Sequence, residues 1–254
     1  MSRAIVRMTI DDAEHYTDEQ RAAIIASYPA HEREARAKGI PTLGSGRVFP
    51  VAEEDIICDA FDIPPDWALI GGMDFGYDHP FAAVRLAWDR DADIIFVTQT
   101  YRQRQATPIL HAAALKPWGA RMPWAWPHDG LQHDKGSGEQ LMQQYAAQEL
   151  NMLPERATFE DGTNGLEAGV IEMLDRMQSG RWKVFRHLSE WLDEFRQFHR
   201  KDGRIVKERD DLLAGSRYAM MMKRFAMEAS SVRNDAKWKQ ATGGWKQRQG
   251  ARFA

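Results

Sequence analysis

Between residues 67 and 100 the chain alternates short apolar runs with tight polar turns: Trp67 to Met73, then Phe81 to Trp88, then Ile94 to Thr100. The polar stretch Asp89-Arg-Asp-Ala-Asp93 joins the last two runs, so the three read as an antiparallel meander. From Thr107 the period changes. Thr107-Pro108 has the N-cap and first-turn proline of a helix running toward Leu115, and Met122 to His128 returns as a short buried strand. Ser137 with Gln140 reads as a capping box for a helix over 138–150, and Gly180 follows a helix over 165–178 as its stop. Strands at 156–160, 182–185 and 204–207, a helix at 189–199, a turn at Asp202-Gly203 and a last helix from Asp210 to Met227 complete the order. Ahead of the meander, 4–10 alternates like a strand and Thr17-Asp-Glu-Gln opens a capped helix. The Gly- and Pro-rich stretch 39–50 reads as a connector.

Composition narrows the class. With 254 residues, 43% of them hydrophobic, the chain can bury a full core. No apolar run approaches the roughly 18 residues of a membrane helix, so a cytoplasmic protein without membrane contact is expected. The single cysteine, Cys58, excludes an internal disulfide framework and is expected to fill core. The net charge of −3 is unevenly spread. Residues 200–254 hold fourteen Lys and Arg against six Asp and Glu, a net +8, leaving −11 on the first 199. A basic face beside an acidic site suits a polyanionic substrate. The last residues, from about 229, show no apolar period and read as a basic, flexible tail.

The candidate chemistry is carboxylate. Asp74 ends the first apolar strand, Asp129 closes Trp124-Ala-Trp-Pro-His-Asp, and Asp210-Asp211 opens the last helix. Acids at the ends of chain-distant elements can converge on divalent metal, since Mg²⁺ takes hard oxygen ligands. Either Asp210 or Asp211 could be the third ligand. Asp78 and Asp161 rank second, at the rim of the same cleft. His128, His133 and Asp134 lack the spacing and the cysteine of a zinc set, so those histidines read as solvent-facing or as supports for a ligand. Asp74-Phe-Gly also spells a kinase magnesium triplet, but no glycine-rich loop or His-Arg-Asp precedes it. Trp124, Trp126, Trp182, Trp191 and Met220 to Met222 are expected in the core. Arg217 is expected to contact phosphate or to form a helix-surface ion pair.

Three leading strands, then alternating helices and strands, then a closing helix is the order of a ribonuclease H-like domain: α/β, with a mixed central sheet flanked by helices. Arg33 to Pro50, Met73-Asp-Phe-Gly, Trp126-Pro-His-Asp129 and Asp210-Asp-Leu-Leu-Ala-Gly-Ser-Arg-Tyr218 resemble, in that order, the nuclease domain of tailed-bacteriophage or prophage large terminase subunits. Ala214-Gly215 departs from the family's usual Asp-Ala before Arg-Tyr. The resemblance implies a metal-dependent endonuclease that cuts concatemeric phage DNA during genome packaging in the host bacterial cytoplasm. It also implies two Mg²⁺ or Mn²⁺ ions, with Asp74 bridging, Asp129 holding one ion and Asp210 or Asp211 the other. Double-stranded DNA, the small terminase subunit, the portal and the terminase ATPase domain are the implied partners. No Gly-x-x-x-x-Gly-Lys-Ser/Thr loop occurs, so motor activity is not expected of this chain. Residues 1–50 then read as a remnant of the ATPase side and linker, 51–228 as the nuclease domain and 229–254 as the tail, in an expressed fragment or a truncated prophage product. The alternatives are a junction-resolvase or transposase-like nuclease, an actin-like nucleotide-binding phosphotransferase, and a non-catalytic DNA-binding or assembly module.

Overall fold

The computed structural model describes residues 9–13, 15–28, 33, 37, 46–133 and 138–232. Near its start, Thr17 and Gln20 exchange side-chain and backbone hydrogen bonds in the capping box that opens α1 (Asp18–Ser27). Farther on, Phe49 is fully buried and α2 (Glu53–Ile56) leads into the edge strand β1 (Ile57–Cys58).

The meander forms as its alternation requires. β2 (Ala68–Asp74), β3 (Phe81–Asp89) and β4 (Ile94–Gln103) pair antiparallel in sequence. A bulge interrupts the β3–β4 register after Arg85, and the buried Thr98 hydroxyl takes up the slack. It accepts from Arg85 Nε at 2.9 Å and donates to the Arg85 carbonyl at 3.1 Å. The chain then builds α3 (Pro108–Leu115), β5 (Pro123–Ala125), α4 (Leu141–Ala147), β6 (Asn151–Met152), α5 (Leu166–Gln178) and β7 (Trp182–Phe185). Then come α6 (Ser189–Gln197), the hairpin β8 (Arg200–Lys201) and β9 (Arg204–Ile205), α7 (Asp211–Met221), β10 (Met227–Glu228) and α8 (Ala229–Val232).

The eight-stranded mixed sheet runs β1-β7-β4-β3-β2-β5-β6, with β10 on the first residues of β2. β5 lies parallel to β2 at Gly71 and Gly72, so the end of β5 delivers its loop beside the end of β2. Alternation along β2 and β3 sorts the two faces of the sheet. Phe81 stacks on His111 of α3 and Tyr145 of α4 on one face, while Gly72 and Val84 meet α7 on the other. The approach of α7 is close. A Cβ on Gly72 would lie 2.0 Å from the Gly215 carbonyl oxygen, and one on Gly215 3.2 Å from that of Gly72. Gly215, opposite Gly72, is therefore the residue this close helix–strand contact calls for. Trp124, Trp126, Trp182, Trp191, Met220, Met221 and Met222 are buried, in line with their expected core roles.

Several boundaries differ from the pattern. Helix α4 begins at Leu141 with Gln140 as its N-cap, paired with Gln143, and Ser137 lies outside the described residues. Residues 156–160 form no strand, because the amides of Ala157, Thr158 and Phe159 donate to the Trp126 carbonyl, Met222 Sδ and the Thr163 carbonyl respectively. The last helix ends at Met221, since Met227 and Glu228 extend to pair with Leu69 and Ala68. Strand 122–128 shrinks to three residues before the chain turns into a 3-10 helix, His128–Leu131. Cys58 sits half-buried on an edge strand, its thiol pushed up by burial. Within 4–10 only Thr9 and Ile10 are described, with Ile10 in a 3-10 turn closed by Thr9 and Asp12; residues 4–8 lie outside. Ala229 and Val232 are buried, so ordered packing runs past residue 228; residues 233–254 lie outside the described set.

Candidate active site

Four of the singled-out acids come from three elements that the sheet brings to one end. Asp74 is the last residue of β2 and Asp129 lies in the 3-10 turn after the neighbouring β5. Asp211 is the first residue of α7, with Asp210 at its N-cap position, and α7 crosses β2 at the Gly72–Gly215 contact. Local packing fixes the Asp129 turn. A Cβ on Gly130 would meet Trp126 at 2.4 Å and Phe75 at 2.9 Å, so the residues next to Asp129 and Asp74 are pressed together.

Asp74 is the most perturbed of the four. Its carboxyl is pushed up to about 7, first by burial, then by the charges of Asp211 and Asp210 and more weakly by Asp129, against the opposing pull of Arg217. Asp210 is likewise raised, by burial and then by Asp211. Concentrated negative charge at a strand end is unfavourable by itself and is relieved by cations. The donor chemistry, all carboxylate oxygen, fits Mg²⁺ or Mn²⁺. Among the described residues, no three His, Cys, Asp or Glu side chains stand close enough together to hold a metal ion as they are placed. Asp211 is instead held by Arg102, at 2.7 Å from its Nη2, and Asp129 Oδ1 accepts from Gln132 Nε2 at 3.2 Å.

Residues that pattern alone did not single out complete the site. Arg102 on β4 is in register with Ala82, and Ala82 with Asp74, so these three share one row and one face across the sheet. Glu194 on α6, only 2% exposed, sends Oε2 to the amides of Leu212 (2.8 Å) and Leu213 (3.1 Å) in the first turn of α7. Its carboxyl is pushed up to about 8, chiefly by burial. One signal for it exists in the chain: a carboxylate between Trp191 and Phe195 on the apolar stripe of α6. Tyr218, one heptad beyond Asp211, is raised to about 12 by burial and by Asp74.

The remaining candidates stand elsewhere. Asp78 lies in the exposed turn after β2. Asp161 accepts from Thr163 within its own turn and lines a cleft of about 560 Å³ with Met220, Met221 and Arg224, at the far end of α7 from Asp211. His128 Nδ1 contacts Arg156, His133 pairs as a bridge with Gln140, and Asp134 lies outside the described residues. Arg217 is buried over the Tyr218 ring at 4.4 Å, so of the two roles expected for it the helix-surface ion pair is not the one the structure gives.

Known proteins share this architecture. The family model of the terminase RNaseH-like domain matches residues 71–223, and that of the N-terminal part of T4-like-virus-type large terminase subunits matches 2–56. The large terminase subunit of Salmonella phage P22 is 50% identical over 233 residues, which is 91% of this chain and 47% of that protein. The chain thus spans about half the length of the curated relatives it matches. The P22 large terminase nuclease domain superposes with a TM-score of 0.71 at 44% identity, covering 75% of this chain and 99% of that domain. At 17% identity and a TM-score of 0.50, covering 67% of this chain and 97% of that one, the manganese-bound large terminase nuclease domain of bacteriophage SPP1 shares the fold. The chain belongs to the terminase RNaseH-like domain family.

Proposed function

We propose that this chain is a divalent-metal-dependent DNA endonuclease that cuts concatemeric phage DNA during packaging, with Asp74, Asp129 and Asp211 as the metal-holding acids. The observation that carries the reading is Asp74: a half-buried carboxylate held up to about 7 by desolvation and by acids from two other elements, at the end of the central strand. Acids gathered from separate elements with one of them strongly perturbed are the pattern of a functional site. Asp211 is favoured over Asp210 as third ligand because its charge acts more strongly on Asp74. Asp210 then adds negative potential at the same rim.

Two bound Mg²⁺ or Mn²⁺ ions would supply a hydroxide at neutral pH and stabilise the departing 3′ oxygen. The chain's own part is to hold the acids on a rigid strand end and a rigid helix start, where their spacing does not relax. Arg217, buried over Tyr218, adds a fixed positive charge that opposes the acids at Asp74. Double-stranded DNA is the substrate in this reading, and the terminase ATPase domain, small subunit and portal are its packaging partners in the host cytoplasm. No helix among the described residues is long and apolar enough to cross a membrane.

Supercoiled plasmid incubated with the chain and Mn²⁺ tests the proposal. Wild type is expected to nick and linearise it, and Asp74→Ala to lose the activity by at least about a hundredfold. Equal cleavage by the variant rejects the assignment.

A further inference from the structure

Helix α7 carries two of the four acids, and what fixes its first turn lies outside the acids themselves. Glu194 reaches from α6 with one oxygen, Oε2, to two of the unpaired amides at the α7 N-terminus, those of Leu212 and Leu213. This is the position where a carboxylate caps best, because it meets both free N–H groups and the positive end of the helix dipole. The second oxygen, Oε1, is buried with no hydrogen-bond partner and lies 3.8 Å from Arg102 Nε. From the same guanidinium, Nη2 donates to Asp211 Oδ2 at 2.7 Å, leaving Oδ1 for another partner. A chain of contacts therefore runs Leu212 and Leu213, Glu194, Arg102, Asp211. It closes on the helix turn where it began.

A carboxylate capping from a separate helix is an unusual device for stability alone. Its burial is costly, and Arg102, 21% exposed, is too open to compensate it fully. The arrangement does fix two variables that ligation demands: the position of the α7 start relative to α6, and the rotamer of Asp211. Resting on the nuclease reading above, we propose that Glu194 and Arg102 are positioning residues, a clamp that sets Asp211 for metal by pinning the first turn of α7 and holding one carboxylate oxygen. Neither touches the ion. Partners that hydrogen-bond a ligating carboxylate in this way tune its orientation and its affinity for metal.

Two measurements on the full chain test this. Amide hydrogen exchange of the metal-free protein reads the cap: Glu194→Ala is expected to lose protection at Leu212 and Leu213, and Glu194→Gln, whose amide oxygen still accepts, to keep it. Mn²⁺ titration calorimetry reads the site: Arg102→Gln and Glu194→Ala should bind about 10- to 100-fold more weakly than wild type. Glu194→Gln should restore binding. Unchanged exchange in Glu194→Ala, or wild-type Mn²⁺ affinity in Arg102→Gln, overturns the clamp. If Glu194→Ala does not fold, the other two variants decide: equal loss of Mn²⁺ binding in Glu194→Gln and Arg102→Gln overturns the capping role. Plasmid cleavage by Asp74→Ala at the wild-type rate would instead sink the nuclease reading, with the exchange result on the metal-free chain still deciding the clamp.

Discussion

The two ends of the central meander treat a carboxylate in opposite ways. At the β3–β4 turn, burial pushes the Asp93 carboxyl up, but Arg176, Trp88 and Arg181 outweigh it and leave it below the usual range. Arg181 Nη1 reaches it at 2.9 Å, Trp88 Nε1 at 3.0 Å and Arg176 Nη1 at 3.2 Å. At the other end, Asp74 is more deeply buried, faces Asp211 and Asp210, and rises to about 7. The same residue type on the same sheet is satisfied at one end and frustrated at the other. Where a fold has arginines available and still leaves acids facing acids, the arrangement serves something other than stability.

The largest break in this contrast comes from Gly72→Ala. The new Cβ would collide with the Gly215 carbonyl oxygen at 2.0 Å, a backbone atom that cannot step aside. Helix α7 must lift off β2, carrying Asp210 and Asp211 away from Asp74. We expect destabilisation of about 3 kcal/mol or more in urea unfolding. Mn²⁺-dependent cleavage should fall with it. A variant with wild-type stability would show that the close approach is not what frames the acids.

This contact also marks where pattern reading stops. Asp74 was legible because an apolar run ends on it, and Asp210 and Asp211 because they precede an apolar helical period. The antiparallel meander and the mixed α/β class followed from the succession of strands and helices. Arg102 was not legible: it enters the site only through the β4–β3–β2 register, which is non-local. Glu194 was visible as a charge on an apolar stripe, yet nothing nearby in the chain says that it caps a helix eighteen residues on. Ala214-Gly215 read as a departure from a motif until Gly72 appeared opposite. Strand 156–160 failed because its amides are paired outside any ladder, with the Trp126 carbonyl, Met222 Sδ and the Thr163 carbonyl.

A smaller effect sharpens the contrast by its sign. The folded Asp74 carboxyl titrates near 7 against an ordinary 3.8, so between those values the native chain holds a proton that the unfolded chain has released. Stability of the metal-free protein should then fall as pH rises from about 4 to 7, by up to about 1.4 kcal/mol per pH unit. Glu194, raised to about 8, extends the decline to that pH. Asp93, lowered, acts the other way: its contribution is present above the ordinary carboxylate range and is lost as pH falls through its folded value. Urea midpoints from pH 4 to 8 should therefore slope downward in wild type and less steeply over pH 4 to 7 in Asp74→Asn, where Glu194 still carries part of the decline. An equal slope in the variant would place the proton elsewhere.

The smallest expected effect is at the satisfied end. Asp93→Ala leaves Arg176, whose side chain is 6% exposed, with Glu172 as its remaining ion-pair partner, and removes one of two partners of Arg181. Because the Asp93 side chain is itself 39% exposed, solvent screening holds the loss to about 1 kcal/mol. Plasmid cleavage should not change. The two ends stand six or seven strand residues apart, roughly 20 Å, beyond the distance at which substitutions couple directly. Asp93→Ala and Asp74→Asn should therefore add in stability, one destabilising and one stabilising at pH 7. A sum that fails by more than about 0.5 kcal/mol would mean that the sheet transmits strain between its ends, and that the frustrated carboxylate is partly supported by the satisfied one.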